Sequence, residues 1–313
     1  MISVVICTYN RCDSLLDTLK ALSAQVVTNG LQLEVIVVDN NSSDRTKETV
    51  HEATGQCRWP MRYVFEPKQG LSHARNRGIQ EAKGDIIAFT DDDVLPEPSW
   101  VQALAEAFDA YGADCVGGKI VPFWLQVPPA WLVSEAMQKQ SWAILAMLDH
   151  GPEPCVAGPY DQGFLYGASM AFKKTVFKEQ GGFRPDLGPQ GSVPLRGDDT
   201  EMVDRLLRTG KRIVYTPQAV VRHKVRPERM RMAYIRRLRF QTGRSVALMS
   251  SSNGRHVPGW LAWECLNNGV GAVWAYVRRR QDSGVQCDLQ FWTQLGQIVG
   301  AMQVRWNRHP QSA

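Results

Sequence analysis

The stretch Gly84-Asp-Ile-Ile-Ala-Phe-Thr-Asp-Asp-Asp-Val-Leu-Pro96 narrows the possible folds most. Residues 86–90 are a short apolar run of the kind that forms a buried strand. Asp91, Asp92 and Asp93 follow without a spacer. Carboxylates this close repel one another unless positive charge sits among them. In an extended chain, side chains two apart share a side. That would turn Asp91 and Asp93 towards one object and Asp92 elsewhere. Hard divalent ions such as Mg²⁺ or Mn²⁺ prefer oxygen ligands and often share them with phosphates. A solvated acidic turn is the plainer alternative.

The residues before this stretch repeat its pattern. Residues 2–7 and 33–38 are apolar runs, and 61–65 are a shorter one. Between them lie segments with helical spacing: Leu15, Leu16, Leu19 and Leu22, then Val50 and Ala53. Asp13 or Ser14 is the expected cap of the first helix, and Ser43 or Asp44 of the second. Residues 69–78 read as a loop and helix start. Such alternation predicts an α/β fold with a mixed, mostly parallel sheet and helices on both faces. Functional groups then gather beyond the carboxyl ends of the strands. Thr8 to Arg11, Asp39 to Asn41 and Asp91 to Asp93 all stand there. No GxGxxG follows the first strand and no GxxxxGK[ST] occurs, so dinucleotide and P-loop fingerprints are absent. Asp39 suits a ribose or base N–H, or else a turn. Arg75 and Arg77 suit phosphate, or a solvated helix face.

Further along, residues 99–111 predict an amphipathic helix and 113–121 a strand. Residues 122–162 hold six prolines with Trp124, Trp131 and Trp142 between them, which predicts an insertion across the crevice, partly helical near 133–148. Those tryptophans could stack on a sugar or simply pack the insertion down. Residues 163–172 return to an apolar strand with Gly167, Ala168 and Ser169 at its centre, small enough for close approach of a ligand or another backbone. Asp198 and Asp199 open a helix whose apolar face is Met202, Val203, Leu206 and Leu207. Acidic residues are favoured there by the helix dipole, and one so placed can also serve as a base. Two late strand segments, 211–216 and 219–223, end at His223, an imidazole that suits Mn²⁺ better than Mg²⁺.

Taken together, these residues resemble glycosyltransferase family 2, with its GT-A nucleotide-sugar transferase fold. Ser3 to Arg11 resembles that family's first strand and loop, and Val37 to Asp44 its nucleoside-holding segment. The resemblance implies that Asp39 contacts the base and that Thr8, Tyr9, Asn10 and Arg11 line the nucleotide pocket. Gly70 to Gly78, with Arg75, resembles the next nucleotide-proximal loop. Asp91-Asp92-Asp93 resembles the DxD metal motif, with Asp91 and Asp93 as its first and third residues. Gly167-Ala168-Ser169 resembles the strand beside the donor sugar. Gly197-Asp-Asp-Thr-Glu201 resembles the family's Glu-Asp motif with Asp198 in the glutamate's place, which gives the general base to Asp199. His223 resembles the histidine that approaches the metal. What this implies is a metal-dependent inverting transfer, with Mn²⁺ or Mg²⁺, from a nucleotide-diphosphate sugar to a hydroxyl of a saccharide or lipid-linked acceptor. UDP is the expected nucleotide, with GDP and dTDP open.

The expected organisation is a catalytic domain over 1–225 and a helical extension over 226–313. The catalytic part divides into a nucleotide-binding half to residue 95 and an acceptor-binding half that carries the insertion. A sugar-phosphate nucleotidyltransferase, or a non-catalytic protein that kept the fold, is the competing reading. The first usually needs a glycine-rich basic loop after the first strand, which Thr8 to Arg11 lacks. The chain has 313 residues and a net charge of +5, with arginines crowded at 205–244 and 278–280. That field suits a phosphorylated or lipid-anchored substrate or an anionic membrane surface, and not nucleic acid. Seven scattered cysteines without a CxxC pair, and no stretch of about 20 apolar residues, predict a cytoplasmic protein, at most peripheral on the inner face of the cell membrane.

Overall fold

The computed structural model describes the chain apart from residues 29, 135–141, 159–160, 162–163, 192–194, 251–258, 279 and 309–313. It forms two compact units. The first comprises Met1–Phe123, Ala146–Gly191 and Asp198–Lys224. The second comprises Trp124–Leu145, Ser192–Gly197 and Val225–Ala313.

The first unit is built on a nine-stranded sheet of order β3-β2-β1-β4-β8-β6-β9-β5, with β7 beside β9. Strands β1 (Ile2–Thr8), β2 (Leu33–Asp39), β3 (Met61–Phe65) and β4 (Ile86–Asp91) run parallel. Helices α1 (Cys12–Ser23), α2 (Thr46–Thr54) and α3 (Leu71–Glu81) connect them. All seven residues of β2 are buried, as strands covered on both faces must be. After β4 the sheet turns mixed. It continues through β5 (Val94–Pro96), α4 (Trp100–Tyr111), β6 (Cys115–Trp124), β7 (Cys155–Val156) and β8 (Met170–Lys173). The last elements are α5 (Lys174–Gln180), α6 (Asp198–Arg208) and β9 (Ile213–Val225). Phe89, Phe172, Phe177 and Phe183 form an edge-to-face cluster beneath β4 and β8.

Register sets the site. Thr8 pairs with Asp39 and Cys7 with Asp91, so three strand ends stand level on one edge of the sheet. β4 stops at Asp91, and the chain turns through Asp92 and Asp93 into β5. Val94 then pairs with His223, which carries that imidazole to the same edge.

Several local expectations change. Helix α1 begins at Cys12, and its cap comes from neither Asp13 nor Ser14. The Cys12 N–H donates to Asp44 Oδ2 at 3.0 Å, a carboxylate from the loop after β2. Asp44 also accepts from the Thr46 N–H at 3.0 Å, so one side chain starts two helices. The strand expected over 163–172 is shorter: Gly167–Ser169 form a 3₁₀ turn and β8 starts at Met170. The two late segments merge into β9 across Pro217. Of the helix expected at about 133–148, residues 135–141 lie outside the described set; before them Ala130–Val133 makes one helical turn, and after them residues 142–144 are helical while 145–148 are not.

In the second unit, α9 (Gln281–Arg308) packs along both α7 (Met232–Ser250) and α8 (Gly259–Val277). Gly243 and Gly296 sit where α7 and α9 cross so closely that any Cβ would overlap the opposing backbone. Buried Asp288 joins all three helices. It accepts from Arg236 Nε at 2.8 Å and from the Tyr276 hydroxyl at 3.3 Å.

Candidate active site

The loops after β1 and β2 lock each other. The Asn10 N–H donates to Ser42 Oγ at 2.9 Å, and the Ser43 N–H donates to Asn10 Oδ1 at 2.7 Å. Asn10 takes the left-handed conformation, φ 52°, that this exchange requires. Asp39 is buried at the end of β2. It accepts from the Ser42 N–H at 2.9 Å and from the Tyr63 hydroxyl at 2.8 Å. Asn40 braces the next loop, donating to the carbonyls of Glu66 and Lys68 and accepting from the Gly70 N–H at 2.7 Å. Tyr9 stands exposed at the rim. Sequence reasoning passed over Tyr63 and Asn40. Alternation along β3 was the available signal for Tyr63, since it reaches the end of β2 only through parallel pairing.

The acidic tip is divided between two guanidiniums. Arg11 Nη1 lies 3.0 Å from Asp92 Oδ1 and 3.0 Å from Asp93 Oδ2. Asp92 also accepts from the Thr8 hydroxyl at 2.8 Å. Burial pushes the Asp92 carboxyl above the ordinary range although Arg11 pulls it down. Asp93 also lies 3.4 Å from His223 Nε2. Asp91 faces Arg75, Nη2 to Oδ1 at 3.8 Å, and keeps 36% of its side chain exposed. Desolvation in the recess lifts its pKa to about 6, with Arg75 opposing and Asp93 adding to the rise.

Arg75 is the second hub, and of the two readings its sequence position allows, the solvated helix face is excluded by its burial. Its side chain is 4% exposed, paired with Asp198, and lies over the Phe183 ring at 5.2 Å. Burial acts against its charge, but Asp198 and Asp91 outweigh that and hold its pKa above the ordinary value. Gly167 is needed beside it, because a Cβ there would overlap the guanidinium. Asp198 is buried against Arg75, and desolvation raises its pKa. Asp199, next in the chain, is half-buried. Its Oδ2 accepts from the Gly167 N–H at 3.0 Å and its Oδ1 from the Thr200 N–H at 2.8 Å. The carboxylate is thus fixed by two backbone donors at the start of α6, where the helix dipole favours its negative charge. Ser169 is a correction. It is fully buried and accepts from the Trp100 indole at 2.9 Å, which makes it part of the core and not of a donor pocket. Ala168 is buried too, and its carbonyl accepts from Thr90. Of the three small residues, Gly167 alone is tied to the acidic site through the bonds described.

The residues fit a divalent cation. Arg11 pairs with Asp92 and Asp93, and Arg75 with Asp91 and Asp198, so five clustered carboxylates, Asp199 included, stand beside two guanidiniums, and an added cation would relieve their mutual repulsion. The carboxylates of Asp91 and Asp93 are oxygen donors of the kind that Mn²⁺ and Mg²⁺ take, and the His223 imidazole lies 3.4 Å from Asp93. Among the described residues, no group of three or more His, Cys, Asp or Glu side chains is arranged so that it could hold a metal ion.

Known proteins resemble this chain in sequence and in fold. The glucosyl-dolichyl phosphate glucuronosyltransferase of Haloferax volcanii is 29% identical over 237 residues, covering 72% of this chain and 69% of that protein. The succinoglycan biosynthesis protein ExoM of Rhizobium meliloti is 27% identical over 245 residues, covering 78% and 73%. Among solved structures, the mannosyltransferase PcManGT from Pyrobaculum calidifontis, in complex with GDP-Man and Mn²⁺, superposes with a TM-score of 0.65 at 18% identity, over 98% of this chain and 88% of that one. The S. aureus TarS 1–349 structure with UDP gives 0.51 at 16% identity, over 98% and 90%. Both share the GT-A fold. The family model described as "Glycosyl transferase family 2" matches residues 3–179, more than half of the sequence. The chain therefore belongs to glycosyl transferase family 2 and is a glycosyltransferase that uses nucleotide-activated sugar.

Proposed function

We propose that this enzyme moves a sugar from a nucleoside-diphosphate donor, a UDP-sugar, to a hydroxyl of a saccharide or lipid-linked acceptor, with inversion at the anomeric carbon. The observation that carries the reading is the Arg75 bridge. One buried guanidinium pairs with Asp198 and reaches Asp91, so the strand-tip carboxylates and the helix bearing Asp199 belong to one recess.

Asp39, held by Ser42 and Tyr63, presents a fixed acceptor to the N–H groups of a base, beside the loop Thr8 to Arg11. Asp91 and Asp93, with His223, would hold the divalent cation, whose charge eases departure of the diphosphate. Asp199, oriented by the Gly167 and Thr200 amides, takes the proton of the acceptor hydroxyl. That oxygen bonds to C1 as the bond from C1 to the diphosphate breaks, and attack from the opposite side gives inversion. Asp198 keeps Arg75 in place and does not itself take the proton. The glucosyl-dolichyl phosphate in the name of the Haloferax relative supports a lipid-linked acceptor.

A screen of UDP-, GDP- and dTDP-sugars, with Mn²⁺ and Mg²⁺ in turn, tests this directly. Donor hydrolysis should appear with a UDP-sugar, vanish with chelator, and fall by a factor of ~100 or more in Asp199→Asn. Metal-independent turnover, or full activity in Asp199→Asn, would rule the mechanism out.

A further inference from the structure

Helix α8 is apolar on two opposite sides. Leu261, Cys265 and Ala272 are buried within the second unit, on the side packed against α9. On the other side Trp260, Trp263, Leu266, Val270, Trp274 and Val277 are each between 50% and 73% exposed. Their spacing of three and four residues places them on one arc of about 120°, at 100° per residue. Asn267 is the one polar residue inside that arc, and Glu264 on its flank is the helix's single charged residue. Glu264 accepts from Gln294 of α9 at 3.0 Å and so is turned towards the neighbouring helix.

Scattered surface leucines need no explanation, but a continuous stripe with three tryptophans does. What adjoins the stripe indicates what covers it. The sequence runs straight from Val277 into Arg278-Arg279-Arg280, and the Arg278 guanidinium lies 5.0 Å from the Trp274 ring centroid. Indoles in an apolar stripe, with a basic cluster at its end and almost no acid, match the boundary between lipid tails and anionic headgroups. At 19 residues the helix is about 28 Å long. No described helix is long and apolar enough to cross a bilayer. A stripe of this kind lies in the plane of the interface. We propose that α8 is an in-plane membrane anchor, with its tryptophan face in the headgroup layer and Arg278 to Arg280 on anionic lipid phosphates.

The proposal does not depend on the donor or on the catalytic assignment, and its test needs neither. The full chain is mixed with vesicles of phosphatidylcholine alone, or of phosphatidylcholine with about 30% phosphatidylglycerol, and sedimented. Binding is expected to the anionic vesicles, weakening as salt rises. Trp260→Gln/Trp263→Gln/Trp274→Gln should reduce it more than tenfold, and Arg278→Glu should remove most of the preference for anionic lipid. The far-ultraviolet circular dichroism and the urea midpoint should be unchanged in both variants, which shows that they fold. An arm without variants uses lipids brominated near the headgroup, which should quench the wild-type tryptophan fluorescence. Absence of wild-type binding at low salt would overturn the proposal. So would a vesicle-independent dimer that the tryptophan variants dissociate, because the stripe would then be the seat of a second copy.

Discussion

Removing the Arg75 guanidinium strips Asp198 of its partner while that carboxylate stays only 5% exposed. Breaking a buried pair from one side typically costs about 3–5 kcal/mol. Arg75→Ala should therefore lower the urea midpoint sharply, and not merely weaken substrate binding. Arg75→Lys keeps the charge but cannot serve Asp198, Asp91 and the Phe183 ring together. It should fold and lose turnover. Intact stability with a raised donor KM alone would instead return Arg75 to the role of a phosphate ligand. Tyr63 offers a complementary case. Its hydroxyl donates to Asp39, so Tyr63→Phe frees one carboxylate oxygen to reorient. Donor KM should rise by ~10-fold or more, since hydrogen bonds to charged groups contribute about 1.5–3 kcal/mol. In steady-state kinetics kcat should hold.

At the scale of elements, the strand ends opposite the site are riveted by Glu34. It accepts from the Ser3 hydroxyl at 2.6 Å, the Lys83 N–H at 2.8 Å and Arg62 at 3.3 Å, joining β1, β2, β3 and the approach to β4. Desolvation pushes the Glu34 carboxyl up, but these donors outweigh it and leave its pKa below the ordinary value. A carboxylate whose pKa is lowered by folding stabilises the fold above its unfolded value, and that contribution is lost as pH falls through the lowered one. Glu34→Gln should thus cost stability at pH 7 and little at pH 3, read as a urea midpoint difference that closes on acidification. The strands that Glu34 ties were legible because each is a short apolar run, and the level carboxylates were legible because parallel order puts strand ends on one edge. Partners from distant segments were not. Asp44 capping α1 and Trp100 holding Ser169 join residues 32 and 69 apart, and no local pattern marks either. Gly167-Ala-Ser169 reads as a strand because its residues are small and apolar. Its 3₁₀ turn accompanies a bond from the Gly167 amide to Asp199, 32 residues on. Pro217 broke the reading of β9, yet it falls in the gap between residues paired with β7 and those paired with β5.

For the molecule as a whole, the tryptophans divide unevenly between the two units. The first holds only Trp59 and Trp100, whereas Trp124, Trp131, Trp142 and the five from Trp260 to Trp306 belong to the second. Intrinsic fluorescence therefore reports mainly on the helical unit, while nucleotide binding reports on the sheet. Asp288 makes that division usable. It is buried where α7, α8 and α9 meet, and Arg236 and Tyr276 both depend on it. Arg236 is 40% exposed, so water screens part of the pair. Losing Asp288 should then cost nearer to about 1–2 kcal/mol than the full penalty of a buried ion pair. In Asp288→Ala the fluorescence transition should move to lower urea, because the helices lose their common polar contact. Nucleotide affinity in the absence of denaturant should stay at the wild-type value, because each residue proposed to touch the donor lies in the sheet unit. Equal loss of both signals would mean that the helices sustain the nucleotide site, and the catalytic part would have to be redrawn to include them.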